Sequence, residues 1–303
     1  MLDAASGQRI ARIPLGSTIR ERYDAPYLVC ARSALRDTLL SALRARGDVD
    51  LRFGDPPIDM AIHANGVTLA LARGDIRADL VIGADGIGSF ARRFVPGCPS
   101  PKETGFVASR AIQNEMIAET ELWLSPNFHL VRYGISRDTA NVVLVHRKWE
   151  DPRVILQKCA CECGAAESEW AGWPVADTRI DHNTRWSNGP IVLIGDAAHT
   201  MPPYAAQGAA MALEDAVTLA QACGVEIGEF DQRIGTWETR RLRRVSTVMK
   251  LARSNRHVYH LGRPWSFGRN IVMRNAPSRI LDRRMSWVYG WRPHGERVGA
   301  GAR

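Results

Sequence analysis

The sequence lacks any hydrophobic run long enough to cross a membrane. No stretch of its 303 residues approaches the roughly 18 unbroken apolar residues of a membrane span. The first sixteen residues also lack the apolar run of a signal peptide. Lysine is scarce as well, and occurs only at Lys102, Lys148, Lys158 and Lys250. These absences lead us to expect a cytoplasmic protein with no membrane partner, whose positive charge is carried almost entirely by arginine.

Cysteines are few and irregularly spaced. The six of them offer no disulfide framework, which favours a reducing compartment. Cys159, Cys161 and Cys163 form a C-x-C-x-C cluster. Structural zinc sites prefer C-x-x-C pairs with a second pair elsewhere, and the sequence contains no such pair. We therefore predict no metal site.

The charge balance is basic, with a formal net charge of +8 and a pI of about 9.5. The densest run contains Arg240, Arg241, Arg243 and Arg244. Such a run raises the question of nucleic-acid binding, but no interleaved aromatic residues or known binding module accompany it. We predict that the run forms a solvated helix face or attracts small anions, and that nucleic acid is not a partner.

One stretch, from Pro190 to Leu219, organises the chain. Its apolar run Ile191–Ile194 predicts a buried strand, and a helical apolar period begins after Gly208. A strand, a loop and then a helix place the free N–H groups of the helix N-terminus beside a ligand, where they suit an anion or a polarised carbonyl. Asp196, at the end of the strand, could accept hydrogen bonds from a sugar or ribityl hydroxyl. A plain βα unit with an aspartate near its turn fits the same pattern.

The exact spelling GDAAHxxxPxxxxGxxxxxxDAxxL resembles the second flavin motif of the FAD-dependent aromatic hydroxylases. The matching residues are Gly195, Asp196, Ala197, Ala198, His199, Pro203, Gly208, Asp215, Ala216 and Leu219. The resemblance implies that the Gly195-Asp196 turn binds the ribityl chain of FAD. It also implies that Pro203 lies beside the isoalloxazine ring, and that the helix start faces the pyrimidine edge of the flavin. That helix start comprises Gly208, Ala209 and Ala210.

The run DLVIGADGIGSFARRF carries two overlapping patterns. Gly86, Gly88 and Ala91 spell the GxGxxA of a dinucleotide fingerprint, so an NAD-binding reductase that uses residues 78–92 is an alternative function. The following stretch, 95–104, is rich in proline and is not the second strand that such a fingerprint needs. The same run also resembles the D-G-x-x-S-x-x-R motif of the hydroxylases, which implies that Asp85 and Gly86 contact FAD. Its four matching residues are Asp85, Gly86, Ser89 and Arg92.

The beginning of the chain predicts hairpin-like strands at 8–13 and 26–29, followed by a helix that Ser33 caps and Gly47 ends. This helix start resembles the H-R-x-x-L segment of the hydroxylases, although Ala31 stands where histidine is usual. The resemblance implies that Arg32 contacts FAD.

Residues 105–149 predict an antiparallel sheet of short strands. The piece FHLVRY resembles the H-L-V-x-Y strand of the hydroxylases, and alternation puts His129 and Tyr133 on one face. In that family this histidine, and the glutamine that is Gln207 here, lie near the substrate phenol. A histidine with a pKa near neutrality could take the phenolic proton. We therefore predict His129, Tyr133 and Gln207 as the catalytic residues. A half-buried strand histidine without a role would look the same.

We predict a mixed α/β fold in which a Rossmann-like FAD-binding domain carries an inserted antiparallel substrate domain and C-terminal helices. The predicted divisions are a partial FAD-binding domain at 1–104, the substrate domain at 105–180, the continued FAD-binding domain at 181–224 and a helical segment at 225–303. The resemblance lacks the family's opening strand–GxGxxG–helix–strand unit. We therefore expect a truncated domain with uncovered sheet edges and apolar faces.

The function that the resemblance implies is an FAD-dependent monooxygenase. It would hydroxylate a small phenolic or aromatic acid, such as one similar to salicylate, with NADH or NADPH and O2 as co-substrates. A homodimer is a further expectation. A truncated, inactive remnant that binds FAD weakly or not at all is the second alternative.

Overall fold

The computed structural model describes residues 1–161, 169–224, 230–276 and 285–293. Cys163 of the cysteine cluster lies outside the described residues. Among the helices described, none is both long enough and apolar enough to cross a bilayer.

Most of the strands follow one another in the middle of the chain, and most of the helices lie towards its two ends. The strands are β1 (Leu2–Asp3), β2 (Pro57–His63), β3 (Gly66–Leu71), β4 (Ile76–Ala78), β5 (Val81–Gly83), β6 (Lys102–Gln113), β7 (Glu121–Leu124), β8 (His129–Gly134), β9 (Ala140–Arg147), β10 (Ala171–Asp177), β11 (Ser187–Asn188) and β12 (Ile191–Leu193). The helices are α1 (Ser17–Tyr23), α2 (Arg32–Arg46), α3 (Pro152–Gln157), α4 (Asp196–His199), α5 (Gly208–Cys223), α6 (Phe230–Tyr259) and α7 (Trp265–Asn275). The mixed α/β class is confirmed.

The chain forms two compact units. The first, called the sheet unit, comprises 1–47, 105–175 and 256–303, and the second, called the turn unit, comprises 48–104 and 176–255. This division differs from the predicted one at both ends of the chain. Residues 1–47 belong with the antiparallel sheet because β1 pairs with β7, and 225–255 belong with the turn unit because α6 packs on its core.

The sheet unit is built on six strands in the order β1-β7-β8-β9-β6-β10. Strands β7, β8, β9 and β6 are antiparallel neighbours, as the alternating pattern of 105–149 predicts. Leu130, Val142 and Leu144 point to one face, where they pack with Ile155 and Leu156 of α3. The neighbouring residue His129 therefore points to the opposite face of the sheet.

The hairpin-like strands predicted in the first thirty residues do not form. Only β1 and a single bridge between Leu2 and Arg9 are present, and α1 follows. The predicted helix after them does form as α2, with Gly47 in a left-handed conformation at its C-terminus, although Ala31 rather than Ser33 is the N-cap. A glycine stop depends on local backbone geometry, whereas hairpin pairing depends on a partner strand that the alternation alone does not specify.

The turn unit contains a small sheet in which β12 pairs in parallel with β5 and antiparallel with β11. Ile191, Val192 and Leu193 are completely buried, as expected for a parallel strand covered on both faces. Helices α5 and α6 supply Met211 and Val245 to the same core.

Strand β5 lies at the edge of this sheet, where the side chain of Ile82 is 46% exposed. Leu213 and Val217 of α5 are about as exposed. The expected combination of an open sheet edge and uncovered apolar side chains is therefore present in this unit. No α-helix follows β5, since only a short 3-10 turn at Ala91–Phe94 does. A dinucleotide fingerprint needs a helix at that point, so the alternative based on residues 78–92 is not supported.

Candidate active site

The Gly195-Asp196 turn lies at the carboxyl end of β12 and begins α4. Gly195 has φ +59° and ψ −143°, a conformation that residues with a Cβ rarely adopt, and an added Cβ would lie 3.2 Å from the Cβ of Ala212 in α5. The next residue, Asp196, is exposed, and no hydrogen bond or ion pair joins its carboxylate to another described residue. The turn therefore presents a free carboxylate at the carboxyl end of a parallel strand, where α/β folds bind their ligands.

The N-terminus of α5 is also open. Gln207 occupies the N-cap position without capping through its side chain, and no acidic residue stands in the first turn. The N–H groups at the start of a helix have no partner within the helix, so those of Gly208, Ala209 and Ala210 are available to a polar ligand. Pro203 begins a 3-10 turn just before this helix and is exposed.

The loop after β5 is closed by the carboxylate of Asp85. Its oxygens accept hydrogen bonds from the Ser89 hydroxyl at 2.6 Å and from the Ala91 amide at 3.0 Å. Partial burial acts to raise the pKa of Asp85, but these hydrogen bonds outweigh it and the pKa lies below its usual value. Asp85 thus shapes the loop, while Gly86, with φ +78°, leaves open space where a Cβ would stand.

Arg92 joins this loop to the Gly195-Asp196 turn. Its guanidinium donates to the carbonyl of Ala197 at 2.9 Å and to that of Asp196 at 3.0 Å. It also donates to the carbonyl of Ile87 at 2.8 Å. The two sequence motifs are therefore held together by one arginine, which belongs to the D-G-x-x-S-x-x-R motif but was not among the predicted site residues.

A buried ion network lies beneath the turn. Asp215 is completely buried and accepts from the Gly195 amide at 2.9 Å, from His199 Nε2 at 2.5 Å and from Arg241 Nε at 2.8 Å. Arg241 also pairs with Glu214 at 2.7 Å, and Glu214 pairs in turn with Arg244 at 2.9 Å.

This network corrects our interpretation of the arginine run as a solvated face. Arg240 and Arg243 are exposed, but Arg241 is buried and Arg244 is half-buried. The sequence carries a signal for Asp215 that we did not use. Met211, Asp215 and Leu219 are spaced four apart and so share the buried face of α5.

In the sheet unit, His129 is 2% exposed and its Nδ1 lies 3.2 Å from Nε2 of His260. The ring of Tyr259 lies 5.5 Å from that of His129, centroid to centroid. The ring of Phe106 stacks on His260 at 5.5 Å. Tyr259 is the last residue of α6 and His260 follows it, 130 and 131 positions after His129, so no local pattern could have associated them with His129.

Burial controls the ionisation of this cluster. It lowers the pKa of His129 to about 3, with a further contribution from His260. Burial, followed by the positive charges of Arg256 and Arg147, lowers the pKa of His260 to about 4. Burial and then Tyr27 raise the pKa of Tyr259 to about 12. The near-neutral pKa that we expected for His129 is therefore not found, and the cluster is uncharged at pH 7.

Two other predicted residues lie in the sheet unit. Tyr133 is half-buried on β8, and its phenol is close enough to contribute, after burial, to the raised pKa of Tyr27. Arg32 is exposed at the first position of α2. Gln207 belongs to the turn unit, whereas His129 and Tyr133 belong to the sheet unit.

The turn unit fits the flavin part of FAD. The exposed carboxylate of Asp196 can accept hydrogen bonds from ribityl hydroxyls, and the open start of α5 can donate to the polarised carbonyls of the isoalloxazine pyrimidine edge. The glycine conformation at 195 lets the backbone turn there with its carboxylate outward. Within the described ranges, no group of three or more potential metal-ligating side chains occurs.

Comparisons with known proteins agree with this fit. The family described as FAD binding domain matches residues 130–252. The 3-hydroxybenzoate 6-hydroxylase of Klebsiella oxytoca is 29% identical, over 96% of this chain and 79% of the relative. The 6-hydroxynicotinate 3-monooxygenase of Bordetella bronchiseptica is 30% identical, over 89% of this chain and 76% of the relative.

The fold itself matches a solved structure described as a salicylate hydroxylase substrate complex. The TM-score is 0.76 with 19% sequence identity, over 100% of this chain and 81% of that chain. The similarity therefore extends over the whole described architecture.

Proposed function

The chain belongs to the FAD-dependent aromatic hydroxylases, and we propose that it hydroxylates a small phenolic aromatic acid with NADH or NADPH and O2. One observation carries the proposal, which is the exposed Asp196 carboxylate at the end of β12, on a glycine turn packed against α5. FAD supplies the oxygen chemistry when it is bound. The residues of the chain bind and orient the reactants.

Asp196 and the start of α5 are the proposed flavin contacts in the turn unit. Asp196 would accept hydrogen bonds from the ribityl chain, and the N–H groups of Gly208, Ala209 and Ala210 would donate to the flavin pyrimidine edge. Donors fixed at the start of a helix would face that edge without having to reorganise. Gly195, Pro203, Asp85, Gly86 and Arg32 are proposed as further FAD-binding positions.

The proposed substrate class follows from the names of the relatives. Two relatives are named a 3-hydroxybenzoate 6-hydroxylase and a 6-hydroxynicotinate 3-monooxygenase, and both of the acids in these names are aromatic acids with a ring hydroxyl. We propose an aromatic acid of this kind, or one similar to salicylate, as the substrate of this chain. Tyr133 and Gln207 are proposed as substrate-binding residues.

His129 is proposed to contact the phenol of the substrate as a neutral imidazole. With its pKa lowered to about 3, it is too weakly basic to hold the phenolic proton in its present surroundings. It can instead orient the phenol through a hydrogen bond. Its partnership with His260 sets which ring nitrogen carries the proton, since in a pair of neutral imidazoles one donates and the other accepts.

The test is turnover with a panel of acids. The FAD-loaded protein would be mixed with NADH or NADPH and salicylate, 3-hydroxybenzoate, 6-hydroxynicotinate or benzoate, and the aromatic product identified by mass spectrometry. We expect a product heavier by one oxygen atom from at least one phenolic acid and none from benzoate, which lacks the hydroxyl. His129→Phe should abolish product formation, whereas His63→Phe, on an exposed strand position, should not. Reduced nicotinamide consumed without a hydroxylated product from any of the acids would contradict the proposal.

The proposed location is the cytoplasm, where NADH and NADPH are supplied. Among the described residues, Cys30, Cys98, Cys159, Cys161 and Cys223 form no disulfide. Free thiols are typical of a reducing compartment. A homodimer stays a prediction.

A further inference from the structure

The network beneath the Gly195-Asp196 turn is balanced in charge without its histidine. Asp215 and Glu214 carry two negative charges, and Arg241 and Arg244 carry two positive charges. Nδ1 of His199 is buried without a hydrogen-bond partner among the described residues. The hydrogen bond between the two side chains is made by Nε2 of His199, which donates to Asp215.

The carboxylate of Asp215 therefore has a fixed orientation. One oxygen accepts from Arg241, and the other accepts from both His199 and the Gly195 amide. Burial acts to raise the pKa of Asp215, but the hydrogen bond from His199, the positive charge of Arg241 and the hydrogen bond from the Gly195 amide hold that pKa below its usual value. The carboxylate remains ionised and keeps all three hydrogen bonds.

This orientation bears directly on Asp196. The amide that donates to Asp215 is that of Gly195, the residue immediately before Asp196. The carbonyl of Gly195 accepts from the amides of Ala198 and His199 at 2.9 and 2.8 Å, and Arg92 binds the carbonyl of Asp196 from the other side. The backbone on both sides of Asp196 is thus fixed, and only its side chain is left to a ligand.

We propose that Asp215, held by His199 and Arg241, is a positioning residue that sets the direction of the Asp196 carboxylate toward FAD. The inference rests on the proposed function, because it assumes that Asp196 binds the cofactor. Arg241 of α6 would then contribute to the cofactor site without contacting FAD, because Asp215 and Gly195 lie between it and Asp196. The sequence motif alone does not assign this role to Asp215, its second aspartate.

The test is a double-mutant cycle on the affinity for FAD. Asp196→Ala, Asp215→Asn and the double variant would be titrated with FAD, and the dissociation constant measured by flavin fluorescence. In Asp215→Asn the amide nitrogen must face either Arg241 or the Gly195 amide, so one donor loses its acceptor. We expect each single variant to weaken binding by about tenfold or more, and the double variant to bind within about twofold of Asp196→Ala.

A milder pair of variants keeps the test valid if Asp215→Asn does not fold. His199→Gln retains an amide donor for Asp215, whereas His199→Met does not, and both keep the balance of charge. We expect His199→Gln to bind FAD within about twofold of the wild type and His199→Met to bind about fivefold more weakly. Asp177→Asn, which alters the Asp177–Arg253 pair elsewhere in the turn unit, is the matched control and should leave FAD affinity unchanged.

A measurement on the FAD-free protein distinguishes a positioning role of Asp215 from a general loss of structure. Hydrogen exchange of the 191–199 peptide in the FAD-free protein should accelerate in Asp215→Asn and His199→Met but not in Asp177→Asn, since only the first two alter the carboxylate that accepts from the Gly195 amide or a donor that holds it. Additive losses in the cycle, or equal affinity of His199→Gln and His199→Met, would overturn the inference. If Asp196→Ala itself binds FAD as the wild type does, the proposed function fails at this site, and the positioning role fails with it.

Discussion

The buried ionisable groups beneath Asp196 and those around His129 differ in their ionisation. Beneath Asp196, Asp215 keeps its charge because Arg241 and two further donors compensate it. Around His129, burial shifts the pKa values of His129 and His260 far below neutrality and removes their charge. The comparison teaches that burial alone does not decide ionisation: a carboxylate with compensating donors keeps its charge, whereas imidazoles without an acidic partner lose theirs.

The largest effect should come from breaking the charge balance beneath the turn. Arg241→Met leaves Asp215 buried without its counter-ion, and removal of one partner of a buried pair costs about 3–5 kcal/mol. The free energy of unfolding would be measured by urea denaturation. Arg240→Met, the exposed neighbour in the same run, is the control and should change stability by less than about 0.5 kcal/mol. Equal effects of the two substitutions would show that Arg241 is not a buried counter-ion.

The next effect concerns the contact between β5 and β12. A Cβ added at Gly83 would lie 2.6 Å from the Cβ of Ala91 and 2.7 Å from Leu193, so Gly83→Ala should destabilise the turn unit by about 1–3 kcal/mol. Gly88→Ala, where no atom lies within 4 Å of the added Cβ, should leave thermal stability unchanged. Gly88→Ala should also leave FAD affinity unaltered. A large loss from Gly88→Ala would instead favour a backbone role for the glycine pattern of residues 86–91.

The smallest effect, counted as the change in the free energy of unfolding per pH unit for each residue, concerns the uncharged histidines. The pKa values of His129 and His260 are lowered in the folded state, to about 3 and about 4, whereas an unfolded histidine titrates near 6.5. The unfolded chain therefore takes up protons first as pH falls. Their contribution to stability is complete above about pH 6.5, and we expect it to be lost below that pH by up to about 1.4 kcal/mol per pH unit for each histidine.

Urea denaturation between pH 7 and 4 measures this slope. The double variant His129→Gln/His260→Gln should show a shallower decline than the wild type. His63→Gln, at an exposed position, should retain the wild-type slope. Identical slopes in all three proteins would mean that the two histidines are not held neutral by burial.

Local patterns predicted much of the turn unit and little of what surrounds His129. The apolar run at 191–194 and the helical period after Gly208 appear as β12 and α5. These elements depend on the periodicity of neighbouring residues. The hairpin-like strands expected near the N-terminus were wrong, because pairing requires a partner whose position no local pattern reveals.

The missed residues share one property, which is a partner far away in the chain. Asp215 meets Arg241 across 26 positions, and His129 meets His260 across 131. A charge within an apolar helical stripe indicated that Asp215 has a buried partner, but it did not identify that partner. The pKa of His129 could not be predicted either, because it depends on burial by residues that only the folded chain brings together.

The account depends most directly on Asp196 as a ligand for FAD. The purified chain would be titrated with FAD and followed by flavin fluorescence and visible absorption, in parallel with Asp196→Ala and with Asp75→Ala, an exposed aspartate of the same unit. We predict saturable binding that Asp196→Ala weakens by about tenfold or more and that Asp75→Ala leaves unchanged. The absence of saturable binding by the folded chain, or equal affinity of Asp196→Ala and the wild type, would contradict the account and favour an inactive remnant of the family.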